Sequence, residues 1–514
     1  MKKNRTVIYR ILLVSALLGA HLTAVTARGQ ETNTLEIIKQ LQSRIDALEQ
    51  KLKAIEDDKE RAAQTKTNEV KATQQIEELN LKVTTLENDR AVDQAANAAR
   101  AKTAPQISIG PQGFYIGSSN RDFAVRLGGV LQADSRTFFH DAGIVGNDSL
   151  LLRRARPILE GTVFRDFDFL FVPDFGGSTV QIFDALVNYR YSPALQLQAG
   201  KFKVPVGLEQ LQADRDILFN ERALPTDLVP NRDIGFELHG DLFDGTVSYA
   251  AGIFNGVGDA RLSSNASFQD DKSFAGRLFF RPFKTASIPP LQGLGLGVGG
   301  DYAGSQATNT LGLPATTGGT LPGFTTDGQQ QFFAYNPTNK ATVVASGDHW
   351  HVSPQGYYYY GPLGILGEYV VSDQGVSRTG TGHQPFARLE NTAWEVTGSW
   401  VLTGEDAAYA GGVNPRHPFN PSHGDWGAWQ LVGRYSQLDV DSKAFPNFAD
   451  PATSARSITE WAAGINWYLN RNVRVDLSFS HERFNGGGGT ATSAPGIVTR
   501  RAENVLFTRV QLAF

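Results

Sequence analysis

The stretch "FTRVQLAF", residues 507–514, is where the fold of this chain is decided. Leu506, Thr508, Val510, Leu512 and Phe514 fall on one face of an extended segment, and Arg509 and Gln511 fall on the other. Successive strand side chains point to opposite sides, so the segment reads as a strand with one apolar and one wet face. Chain termini usually trail off into polar, poorly ordered residues. This one stops on an aromatic residue, as though the strand were needed to its last position.

Alternation alone does not say which face is inside. The opposite terminus supplies that information. Lys2, Lys3, Arg5 and Arg10 form a positive cluster, "ILLVSALLGA" (11–20) is an apolar core, and "VTA" (25–27) places small residues at a cleavage position. Residues 1–27 therefore read as a secretory signal peptide. The alternative, a membrane anchor, is disfavoured by the shortness of the apolar core. No later segment approaches 18 continuous apolar residues, so any membrane span must be made of strands. An exported chain of alternating strands is expected to form a barrel with its apolar face toward lipid and its charged face toward a water-filled lumen. The last strand must then pair with the first, because an open edge in lipid costs several kcal/mol per bare polar group. The roughly 390 residues from Arg121 onward suit about 16 strands. The expected fold class is all-β: an antiparallel transmembrane β-barrel of the cell outer membrane, preceded by an N-terminal α-helical coiled coil.

Composition agrees with an exported chain. Of 514 residues none is Cys, which removes disulfides, thiol nucleophiles and thiolate metal sites. The formal net charge of −4 argues against nucleic acid as a partner.

Residues 28–104 are expected to form a periplasmic coiled coil. Ile38, Leu41, Ile45, Leu48, Leu52 and Ile55 step alternately by three and four, and Ile76, Leu79, Val83 and Leu86 repeat the spacing in a shifted phase. Lys59, Ala62 and Lys66 occupy the intervening core positions, so two blocks with a slipped middle are expected. A single amphipathic surface helix is the alternative, and the heptads alone leave the strand number open. Residues 105–120 read as a linker and 121–514 as the barrel. Within it, "FAVRLGGVLQAD" (123–134), "FDALVNYRY" (183–191), "TAWEVTGSWVL" (392–402) and "GAWQLVGRYS" (427–436) alternate apolar and polar residues. The segments 303–331, 414–426 and 485–496 are turn-rich and read as outer or infolded loops.

A run of motifs carries a family resemblance: "LGGVLQAD" (127–134), "LLRRARPILEGTVFRDFDFLFVPDF" (151–175), "FDALVNYRY", "GKFKVPVGLEQLQADRDILFNERALP" (200–225), "RDIGFELHG" (232–240), "GAWQLVGRYS" and "GINWYLNRNVRVDLSFSH" (464–481). In this the chain resembles the phosphate-selective porin O and P family. The resemblance implies a trimeric, 16-stranded outer-membrane channel for small anions such as phosphate. It also implies constriction roles for Arg153, Arg154 and Arg156, for Asp184 and for Arg222. Side-chain parity groups Arg154 and Arg156 on one face with Glu160, Arg126 with Val130, and Asp184 with Asn188 and Arg190, and these charged faces are expected to line the lumen. Lys201 and Lys203 are further candidates. Where phosphate-specific members carry cations, this chain has Val130, Gln210 and Asp168, and uncharged Thr, Gly and Pro replace an arginine-rich ladder. Stripping water from phosphate needs several fixed cationic donors, so a shallower site is expected.

No enzyme is expected: the nine His are scattered, and no nucleotide-binding loop or G-x-S-x-G motif stands out. No cofactor or metal is expected. "HWH" (349–351) offers two imidazoles on one strand face, but a satisfied loop pair is the plainer reading. The expected partners are outer-membrane lipid, small anions, two further copies of the chain and, through the coiled coil, peptidoglycan. The competing functional reading is a structural tether between outer membrane and cell wall with little or only general, non-selective pore activity.

Overall fold

The computed structural model describes residues 66–139, 146–177, 179–260, 262–263, 272–304, 321–335, 342–378, 385–487 and 501–514. The segment read as a signal peptide, the first heptad block and most of the Thr/Gly/Pro-rich segment after Ala303 lie outside these residues. The chain divides into two units, Met1–Lys102 and Thr103–Phe514. Helix α1 (Lys66–Thr103) makes up the described part of the first and ends one residue past it; its Leu81, Leu86 and Val92 are exposed.

The second unit starts with a hairpin, β1 (Gln106–Gly110) and β2 (Gly113–Gly117), in the segment read as a linker. Sixteen long strands follow: β3 (Ala124–Phe138), β4 (Ser149–Val163), β5 (Phe167–Asp174), β6 (Gln181–Ser192), β7 (Leu195–Lys203), β8 (Arg232–Leu242), β9 (Val247–Phe254), β10 (Ser273–Phe280) and β11 (Leu294–Ala303), then, after a small hairpin of β12 (Phe324–Thr325) and β13 (Gln331–Phe333), β14 (Val343–Tyr360), β15 (Leu363–Arg378), β16 (Phe386–Val401), β17 (Ala428–Asp439), β18 (Ala455–Tyr468), β19 (Val473–Gly486) and β20 (Ala502–Ala513). Each pairs antiparallel with its neighbour, and β20 pairs with β3 from Val505↔Phe138 to Ala513↔Val130. The sheet is therefore a closed barrel. Phe514 completes it: its N–H donates to Gly129 O (3.0 Å), and Gly129 N–H donates back to Phe514 O (2.9 Å). A Cβ at Gly128 would lie 2.4 Å from that same Phe514 carbonyl oxygen, so glycine is required for the seam to close.

The alternation resolves as lipid outside and water inside. Leu127, Leu131, Val396, Trp400, Leu431, Tyr435, Val510 and Leu512 are exposed on the outer surface, and Gln132, Asp134, Glu395, Gln430, Arg434, Arg509 and Gln511 are buried within. Charges enclosed in this way need partners. Arg509 meets Asp134 through two 2.7 Å bonds, from Nε and Nη2, across the β20–β3 seam.

The inner wall is not polar throughout. Val370, Leu389, Ala393, Leu438, Ile458 and Phe484 are buried there in one apolar cluster. Besides Ala444, Phe448 and Ala449 of the β17–β18 connection, two infolded segments cover it. One is the β7–β8 connection, residues 204–231, with the short helix α2 (Leu208–Leu211) and the buried Val204, Val206, Leu224 and Leu228. The other is the β12–β13 hairpin, whose Phe324, Phe332 and Phe333 are fully buried. The 414–426 stretch, expected as an outer or infolded loop, instead joins β16 to β17 at the barrel end that carries the tight turns 193–194 and 361–362 and Phe514.

Candidate functional site

The site forms where the β7–β8 loop crosses the lumen. The loop is anchored to the far wall through its backbone. Leu208 N–H and Glu209 N–H donate to Glu368, Gln355 Nε2 to Val206 O, Arg434 Nη1 to Glu221 O, Asn466 Nδ2 to Leu218 O, and Arg474 Nη2 to Ile217 O. A buried loop must satisfy its own peptide groups, and these wall side chains do that. The loop consequently holds Asp214, Glu221 and Arg222 at fixed positions in the channel.

Strand β4 faces them with three arginines. In a regular strand Arg153 and Arg154 would point to opposite sides. Here the β3–β4 register shifts between Gln132↔Arg154 and Ala133↔Leu152, so Arg153 is the extra residue of a bulge. Leu150 and Leu152 face lipid before the bulge, and Arg153, Arg154 and Arg156 all face the lumen at and after it. A second shift, between Val172↔Asp184 and Pro173↔Ile182, leaves Phe183 unpaired. Phe183 then turns inward, where the guanidiniums of Arg156 and Arg232 lie over its ring at 3.8 and 4.6 Å. Bulges re-aim side chains next to functional sites, and two on successive hairpins do so here.

The arginines meet carboxylates that the loop brings with it. Arg153 grips Glu221 with Nε at 2.6 Å and Nη2 at 2.9 Å, and Arg136 Nη2 reaches the same carboxylate at 3.0 Å. Asp214 is shared more widely. Arg222 Nη1 donates to it at 2.7 Å, Arg156 Nη1 bonds it closely, Arg154 Nη2 lies at 3.5 Å and Arg232 Nη2 at 4.0 Å. Burial works to raise both loop carboxyls, but the surrounding cations outweigh it. Arg222, Arg154 and Arg156 hold Asp214 well below the usual carboxylate range, and Arg153, Arg154 and Arg136 hold Glu221 below it. Among the described residues, Arg154 Nε has no hydrogen-bond partner.

Two cavities meet at this waist and share Arg156, Asp214 and Arg232. One, of about 210 Å³, is lined by five arginines (Arg153, Arg154, Arg156, Arg222, Arg232) and three acidic side chains (Asp214, Glu221, Asp227). The β12–β13 hairpin forms part of its wall through Thr325, Thr326 and Gln329. The other, of about 540 Å³, opens toward Phe514 and includes Arg126, Asp184, Lys203, Arg215 and Arg474.

Of the residues singled out from sequence, Arg153, Arg154, Arg156 and Arg222 thus meet at the waist. Asp184 sits beside them and binds Arg232 bidentately at 2.9 and 3.2 Å. Arg126 lies in the wider cavity, paired with Glu160 at 3.0 Å, and Lys203 donates to Gln212 O there. Lys201 turns instead to the β9–β10 loop and donates to Ser263 O. Arg190 lies near the β4–β5 turn, bonded to Asp168 and to Arg165 O, away from the waist. Asp168 is therefore remote from the constriction, and its missing cation does not bear on it. Val130 and Gln210 do line the two cavities.

Sequence reasoning missed Arg232, Asp214, Glu221 and the inward turn of Phe183. The signal for the infold was present in "VPVGLEQLQADRDILFNERALP" (204–225), which is too apolar for a solvated loop and too charged for a strand. The bulges leave no mark in the pattern.

The family model for phosphate-selective porin O and P matches residues 125–514. Porin O of Pseudomonas aeruginosa is 24% identical over 388 residues, covering 71% of this chain and 84% of that protein. Among solved structures, the outer membrane channel DcaP of Acinetobacter baumannii aligns with a TM-score of 0.46 and 11% identity over 76% of this chain and 97% of that one. An anion-selective porin from Comamonas acidovorans aligns with a TM-score of 0.45 and 11% identity over 76% and 100%.

Proposed function

Because this chain belongs to the phosphate-selective porin O and P family, we propose that it is an outer-membrane channel whose arginine-lined waist passes small anions, phosphate among them, while holding phosphate only weakly. The observation that carries this reading is the narrow cavity with five arginines against three acidic side chains. A net positive lining in a confined, low-dielectric passage concentrates anions and repels cations. Planar guanidinium forks suit phosphate oxygens. Weak rather than tight binding follows from the loop: Asp214 and Glu221 already occupy donors that a phosphate would need. An entering anion must displace or share those bonds, which favours passage over retention.

The test is the zero-current potential of Arg154→Glu and Arg222→Glu channels in a planar bilayer under a KCl gradient. Each reversal is expected to reduce or invert the anion preference of the wild type. Unchanged potentials in both would remove these residues from the permeation path.

Residues 28–104 are proposed as a periplasmic coiled coil that supports a homotrimer. In α1 the stripe Ile76, Leu79 and Val83 is only half-buried and Leu86 is exposed within one chain, as in a helix awaiting copies of itself.

A further inference from the structure

The geometry points to a divalent-metal site in the lumen wall, formed by Asp259, His349 and His351, that clips the β9–β10 loop to the barrel. The two histidines are not a loop pair. They project inward from β14, two residues apart and both buried. Asp259 comes from the β9–β10 connection and is buried against them. His349 Nε2 and His351 Nε2 are 3.0 Å apart, and Asp259 Oδ1 lies 3.4 Å from the first and 2.7 Å from the second. A point about 2 Å from all three atoms lies just off their plane, the distance at which zinc takes imidazole nitrogen and carboxylate oxygen.

The surroundings suit an ion. His351 Nδ1 bonds Asp301 Oδ1 on β11 at 2.6 Å, which fixes the ring with Nε2 toward the centre. A carboxylate behind a ligating histidine is the usual outer support of such sites. Ser372 on β15 donates to both oxygens of Asp259 at 3.1 and 3.0 Å and orients that carboxylate. Among the described residues, the only ion-pair partners of Asp259 and Asp301 are these two histidines. Two enclosed carboxylates facing two imidazoles are neutralised by one dication. The same ion lets both Nε2 atoms act as lone-pair donors, which a hydrogen bond between them cannot. Two imidazoles and one carboxylate favour zinc or a neighbouring transition ion over magnesium or calcium.

The clip has a structural consequence. Ala260 N–H, next to Asp259, donates to Val229 O of the constriction loop at 2.9 Å. An ion at Asp259 thus anchors the segment against which that loop rests.

The test uses full-length protein purified without a histidine tag, stripped with chelator and titrated with Co²⁺ and then Zn²⁺. One equivalent of Co²⁺ per chain is expected, with the visible absorption of a four-coordinate site, displaced by Zn²⁺. His349→Gln/His351→Gln should abolish that absorption. Asp259→Asn lies on a loop, leaves the wall intact and should weaken binding at least tenfold, and Asp301→Asn should weaken it by about 10–100-fold while keeping all three ligands. Absence of stoichiometric uptake by the folded wild type overturns the assignment. So does uptake that survives in the double variant, or, should the double variant not fold, affinity in Asp259→Asn equal to that of the wild type.

Discussion

Asp214→Asn isolates the role of the loop's own counter-ion. Asp214 lies within 2.7–4.0 Å of guanidinium nitrogens from Arg222, Arg154 and Arg232, and it also bonds Arg156. An anion bound by those guanidiniums from their other side sits roughly 6 Å from the Asp214 carboxylate. The repulsion it feels is then about 0.7 kcal/mol at an effective dielectric of 80 and about 2.8 kcal/mol at 20. Removing the charge should tighten anion binding by about threefold to a hundredfold. Protonation does not substitute for the mutation, because the arginines keep this carboxyl ionised well below the usual range despite its burial. Asparagine preserves an acceptor for Arg222, so the loop has a means of staying in place, and heat-modifiable migration on gels checks that the barrel is intact. The assay is phosphate block of single-channel chloride current. The half-blocking concentration should fall by a factor within that range, and the zero-current potential should move further toward the anion limit. An intact variant with unchanged or weaker block would refute the argument that Asp214 competes with the permeating anion.

Further outcomes follow from other parts of the lumen. Asp227, whose Oδ2 accepts from Thr325 N–H at 3.0 Å, has its carboxyl pushed up to about 8, chiefly by burial. A folded value above the ordinary one means that its stabilising contribution is present in acid and is lost as pH rises toward 8. The melting temperature should therefore decline over that window, and Asp227→Asn should flatten the decline; an identical pH profile in the variant would contradict the assignment. Phe333 is fully buried and stacked on Phe324 at 5.1 Å, so Phe333→Ala should cost about 3–5 kcal/mol of local packing, release the β12–β13 hairpin and raise single-channel conductance. Unchanged conductance would argue against the hairpin as part of the waist. Deleting residues 31–100 should weaken trimers seen by cross-linking while leaving the barrel folded, and undiminished trimers would separate assembly from the helical segment.

The barrel was legible because a closed sheet between lipid and water imposes a strict period of two. Arg509 and Gln511 could face only the lumen once Val510 and Leu512 faced lipid. The lumen-facing set on β4 was legible only in part. Arg154 and Arg156 share parity, but the inward position of Arg153 depends on an extra residue in one strand opposite Gln132 and Ala133. That is a property of register, which a single strand's sequence does not carry. The acidic half of the site was hidden for a different reason. Asp214 and Glu221 sit in a connection whose path across the lumen is set by distant wall residues such as Glu368, Arg434 and Arg474. His349 and His351 were visible as a pair, but their carboxylate partners Asp259 and Asp301 lie about 50 to 90 residues away in sequence.

The central claim is that arginines make the waist anion-preferring while the loop's carboxylates keep phosphate binding shallow. The direct measurement is the zero-current potential of the purified wild-type protein in a planar bilayer under a KCl gradient, followed by phosphate titration. The account predicts a potential on the anion side and block only at high phosphate concentration. A cation-side potential would contradict the role of the arginines, and block at low phosphate concentration would contradict the role of Asp214 and Glu221.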